Sequence, residues 1–73
     1  MSTLEEKIKQ IRVYIHDINN HLTIIKGKSE MMVESEEFKD NKHVQKILER
    51  TNQTVALMTE IRNVVISLSD NTQ

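Results

Sequence analysis

Nine positions, Leu4, Ile8, Ile11, Ile15, Ile18, Leu22, Ile25, Ser29 and Met32, follow one another at alternating spacings of four and three residues, and all but Ser29 are apolar. An α-helix turns once in about 3.6 residues, so this spacing gathers the nine side chains into one narrow stripe. A stripe of that width and length is the seam of a coiled coil or helical bundle, and it leaves no room for a strand in the first half of the chain. Ser2 and Thr3 stand three residues before Glu5 and Glu6, so either pair can form a capping box, and the first helix is expected from about residue 3 to about residue 34.

The repeat fades over residues 35 to 41, Ser-Glu-Glu-Phe-Lys-Asp-Asn, where Asp40 or Asn41 is placed to cap a new helix. From Lys42 a second stripe follows: Val44, Ile47, Leu48, Val55, Met58, Ile61, Val65 and Leu68, widened by Val64 and interrupted by Thr51 and Thr54. The second helix is expected from about 42 to about 69. The expected fold is all-α, an antiparallel two-helix hairpin comprising residues 1–73 as a single domain. Two helices can each bury one stripe but cannot enclose a core, so two hairpins are expected to pair as a homodimeric four-helix bundle.

Composition removes several functions. The net charge of -1 comes from interspersed acids and bases, which leaves no basic stripe for nucleic acid. No apolar run approaches the roughly 20 residues of a membrane span, and the N-terminus does not read as a secretory signal. The absence of cysteine fits a cytoplasmic location.

With the seam assigned, the polar residues fall into place. Arg12, His16, Asn20, Thr23, Gly27 and Glu30 fall at spacings of four and three on a second stripe away from the core, so His16 belongs to an outer face. An imidazole displayed there can accept a phosphoryl group if its other ring nitrogen is held in the reactive tautomer, and the adjacent Asp17 is a candidate for that task. Asn19 and Asn20 are poor helix formers side by side in mid-helix, which suggests a polar pocket for phosphate or water; surface filler is the plain alternative. Gly27 costs a helix about 1 kcal/mol relative to alanine, with either close approach of a partner backbone or a slight bend as the reason.

His16 and His21 lie five apart, about 140° around the helix, whereas a shared ion needs ligands three or four apart. No metal site is therefore expected. His21 beside the seam and His43 at the start of helix two read as interface or surface residues rather than chemistry, and the pair Met31 and Met32 near the turn reads as core filling, with a soft partner-binding patch as the alternative.

The run Ile15-His16-Asp17-Ile18-Asn19-Asn20-His21-Leu22-Thr23-Ile24-Ile25-Lys26-Gly27 resembles the H-box of histidine-kinase dimerisation and histidine-phosphotransfer domains, and is also similar to the phosphotransferase type of the sporulation phosphorelay. In that family an acidic residue follows the phosphorylated histidine, an Asn or Thr comes four positions later, and a leucine, an apolar pair and a glycine continue the helix. His16, Asp17, Asn20, Leu22, Ile24, Ile25 and Gly27 match in order. The commoner kinases carry proline after the Asn; here that position is His21, as in the branch lacking it.

The resemblance implies that His16 carries a phosphoryl group, that Asp17 assists proton removal and that Asn20 positions phosphate or water. It implies transfer to the aspartate of a response-regulator receiver domain, docked along Arg12, His16, Asn19, Thr23, Gly27 and Glu30. Any Mg2+ would be the receiver's own, so no cofactor is expected on this chain. There are no Gly-rich nucleotide loops, so a kinase ATP-binding domain would have to be supplied separately. The module is then either part of a longer sensor kinase or a free-standing shuttle. The competing expectation is a homodimeric scaffold hairpin whose His-Asp-Asn patch carries no phosphate.

Overall fold

The computed structural model describes residues 3–71 and consists of two α-helices, α1 (Leu4–Glu34) and α2 (Lys42–Asn71), joined by a short connection. They pack side by side as a hairpin 53 Å long and 17 by 14 Å across. The all-α hairpin expected from the periodicity is the observed fold, with no strand among the described residues.

Local chemistry accounts for each boundary. Thr3 caps α1, its hydroxyl accepting from the Glu6 amide at 3.1 Å, one half of the expected capping box. Ser2 lies outside the described residues. At the other end Ser35 leaves the helix in extended conformation and donates its hydroxyl to the Met32 carbonyl at 2.8 Å. The Ser35 hydroxyl also accepts from the Phe38 amide, while its carbonyl accepts from the Lys39 amide at 2.9 Å. Of the two candidates for the second cap, Asn41 does the work. Its side-chain oxygen accepts from the amides of His43 at 2.9 Å and Val44 at 3.1 Å. The connection therefore closes through side-chain and backbone bonds together, and no residue in it adopts positive φ.

The hairpin buries only half of each stripe. Along α1 the inward line is Ile8, Ile15, half-buried Leu22 and Ser29, spaced by seven; along α2 it is Val44, Thr51, Met58 and Val65, also spaced by seven. Ile8, Ile15, Met58 and Val65 form the clustered core, with Leu22 packed against it. Side chains of this kind contribute about 1.5–3 kcal/mol each when fully buried. Thr51, expected to interrupt the stripe, sits inside it; its hydroxyl is satisfied by the Ile47 carbonyl at 2.7 Å, so burial leaves no orphan polar group.

The other line of each stripe remains open. Leu4, Ile11, Ile18, Ile25 and Met32 on α1, and Ile47, Ile61 and Leu68 on α2, are 38–60% exposed. In all, fourteen large apolar residues are exposed among the described residues, against five that are buried. Both open lines stand three residues from the buried ones, about 60° to the same side of an antiparallel pair, so they form one apolar face of the hairpin, interrupted on α2 by Thr54.

Candidate functional site

The opposite face carries the histidine. Positions four after a buried-line residue, such as Arg12 after Ile8 and Asn19 after Ile15, turn about 40° away from the open apolar lines, and His16 turns further in the same sense. Arg62 and Ile66 of α2 project to that side as well. Between the helices these residues line a cleft of about 400 Å³, walled by Arg12, His16 and Asn19 from α1 and Arg62 and Ile66 from α2, with buried Ile15 and Val65 as its floor. The packed core beneath thus fixes the backbone that presents His16, while the ring itself is exposed.

The nearest polar neighbour of the ring is Asn20, one turn along, whose Nδ2 lies 3.5 Å from His16 Nδ1. That is a long contact, at the outer edge of hydrogen-bond range. Turning the carboxamide over exchanges its nitrogen for its oxygen. With Oδ1 inward, the ring donates Nδ1–H to it and the Nε2 lone pair is left free as a nucleophile. Asp17, expected to orient the imidazole, is exposed and outside the cleft, and no hydrogen bond or ion pair joins it to His16. Consecutive helix residues diverge by about 100°, whereas residues four apart face one another, so the geometry gives the ring-facing position to Asn20.

The remaining expected residues divide into two groups. Arg12 and Asn19 line the cleft, Asn19 half-buried. Thr23, Gly27 and Glu30 continue along the same exposed side toward the turn, outside it. Thr23 donates its hydroxyl to the Asn19 carbonyl at 2.9 Å. A Cβ added to Gly27 would meet nothing within 4 Å, so no packing inside the chain accounts for the glycine.

Arg62 was not singled out by the sequence pattern. Its signal is positional: it lies about as far beyond the turn as Arg12 lies before it, and both stand four residues after a residue of the buried line. A second cleft, of about 450 Å³, opens on the apolar face between Leu22, His43, Lys46, Ile47, Arg50, Thr51 and Thr54. Among the described residues there is no cluster of three or more metal-ligating His, Cys, Asp or Glu side chains, and no helix long and apolar enough to cross a membrane.

No family model matches the chain, and neither a curated protein nor a solved structure matches it. Fold and site together define a helical hairpin with an exposed imidazole at a polar cleft on one face and an uncovered apolar seam on the other.

Proposed function

We propose that this chain is a histidine phosphotransfer and dimerisation module of two-component signalling, accepting a phosphoryl group on His16 and passing it to a response-regulator aspartate. The observation that carries the reading is the placement of His16: an exposed ring at the mouth of a cleft, beside a carboxamide able to hold Nδ1, on a helix whose other side is fixed by packing. In the accepting step the Nε2 lone pair forms an N–P bond as the P–O bond to the donor acyl phosphate breaks. The bonding pair leaves with the carboxylate, and the Nδ1 proton, held toward Asn20 during the attack, is released once the N–P bond has made the ring cationic. Asp17, which makes no bond to the ring, is assigned by the resemblance alone to assist that release through solvent. Transfer to a receiver reverses these bonds, with the receiver's Mg2+ neutralising the oxygens.

The partner in the homodimer is a second copy, joined through Leu4, Ile11, Ile18, Ile25 and Met32 with Ile47, Ile61 and Leu68, the apolar line that the hairpin leaves open. That same face favours a second reading, a scaffold whose only task is to pair.

Phosphoramidate separates the two, since it donates to histidine without a partner protein. The purified chain is treated with it, the modified residue is mapped by mass spectrometry, and receiver domains are added with Mg2+. Label on His16 that moves to a receiver is the expected outcome, lost in His16→Gln with helicity unchanged. Label spread evenly over His16, His21 and His43, or label that no receiver accepts, rejects phosphotransfer and leaves the scaffold.

A further inference from the structure

The cleft beside His16 has a charge that the phosphoacceptor alone does not require. Arg12 and Arg62 enter it from different helices, and neither makes an ion pair among the described residues. No carboxylate lines it. Two guanidinium groups facing one cleft without a counter-charge repel each other, and an anion placed between them relieves that repulsion. The pair lies at nearly the same distance from the turn, so both reach the same level of the cleft. His16 is four residues beyond Arg12 on the same helix, where neighbouring side chains stand about 6 Å apart. Half-buried Asn19 adds a carboxamide donor, and the floor of Ile15 and Val65 offers no competing acceptor.

We infer that Arg12 and Arg62 form a two-helix clamp for a tetrahedral phosphoryl dianion next to His16, an inference that, for the covalently bound group, rests on the phosphotransfer reading above. The clamp holds the oxygens while the bond to Nε2 forms: guanidinium donors match phosphate oxygens in a planar fork, and charge drawn out of water into a partly enclosed cleft is bound more strongly. With N-protonated phosphoramidate as donor, Nε2 bonds to phosphorus, the P–N pair departs with neutral ammonia, the Nδ1 proton passes to solvent, and the three oxygens stay on the arginines. Because Arg62 comes from α2, acceptance of phosphate depends on the hairpin being closed, not on α1 alone.

The test uses the whole chain at constant ionic strength, so that screening is equal throughout. Inorganic phosphate is titrated while the amide and guanidinium resonances are followed by NMR, for wild type, Arg12→Gln, Arg62→Gln, Arg62→Lys and His16→Gln. Expected are shifts at Arg12 and Arg62, a dissociation constant raised about tenfold in Arg62→Gln, as for loss of one charge-assisted hydrogen bond, and intermediate binding by Arg62→Lys. His16→Gln should still bind phosphate. Phosphoramidate labelling of Arg62→Gln should slow by a similar factor below saturation and recover at high donor concentration, with unchanged circular dichroism. Phosphate binding equal in Arg62→Gln and wild type, or labelling at the wild-type rate, overturns the clamp while leaving His16 as acceptor. Arginine-dependent phosphate binding without any phosphohistidine overturns the phosphotransfer reading and leaves a free-anion site.

Discussion

Replacing Ile18 with alanine is expected to weaken association between copies while the hairpin stays folded, whereas the same change at Ile15 weakens the hairpin itself. The two isoleucines stand three residues apart in one stripe, yet Ile15 is 6% exposed and Ile18 is 43% exposed. Full burial of an isoleucine is worth about 1.5–3 kcal/mol, so a side chain with a little under half its surface still open has about 1 kcal/mol to gain when covered. In a two-fold dimer each substitution counts twice, about 2 kcal/mol, which raises the dissociation constant about thirtyfold. Ile15→Ala removes a side chain already packed on Met58 and its neighbours and should cost about 2–5 kcal/mol of hairpin stability. Sedimentation equilibrium reports the first effect, and thermal melts across a range of protein concentrations separate it from the second. A wild-type chain that stays monomeric throughout the range, or an Ile18→Ala dimer as tight as wild type, would refute the assignment of the open line to a second copy.

Gly27→Ala should stabilise the chain by about 1 kcal/mol, because a methyl group there enters open space and a helical glycine carries an entropic cost; at fixed protein concentration the melting temperature should rise, and a fall would show that something covers the position. Gly27→Leu should leave stability close to that of alanine but slow transfer to a receiver, and an unchanged rate would remove the case for close approach of a partner backbone. Asn41→Ala deprives the His43 and Val44 amides of their acceptor and should cost about 1 kcal/mol, lowering the melting temperature of a domain this size by about 4–8 °C. No change in that melt would mean that water replaces the cap without loss.

How far the residues foretell this arrangement depends on what kind of interaction decides each part. The starts of both helices are legible because their caps are local: Thr3 with the Glu6 amide, and Asn41 with the amides of His43 and Val44, involve residues at most three apart. Which line of the stripe turns inward is not legible in the same way. A four-and-three repeat is two lines spaced by seven, and Ile15 and Ile18 are chemically identical; only the position of the other helix chooses between them. Thr51 misleads for the related reason that its hydroxyl can bond back to its own helix at Ile47 and then pack as a small apolar group. At the cleft, adjacency favoured Asp17 as the partner of His16, while helical geometry brings Asn20 to the ring. Arg62 is recognisable only after α2 is folded back against α1, since nothing in its immediate neighbours marks it.

The hydrophobic contacts are unevenly distributed along the hairpin. Ile8, Ile15, Met58 and Val65 gather at the end away from the connection, while nearer the connection the inward line mixes Val44 and Leu22 with Ser29 and Thr51. Folding must therefore close most of the loop before it gains its principal packing energy, because the contacts that form first, next to the turn, combine Val44 and Leu22 with the small polar Ser29 and Thr51 rather than large apolar pairs. Zipping from the connection climbs against chain entropy, offset only by Val44 and Leu22, until Ile15 is reached. The histidine sits at the far end of that climb, so its cleft is among the last features to assemble and rests on the best-packed layer of the molecule.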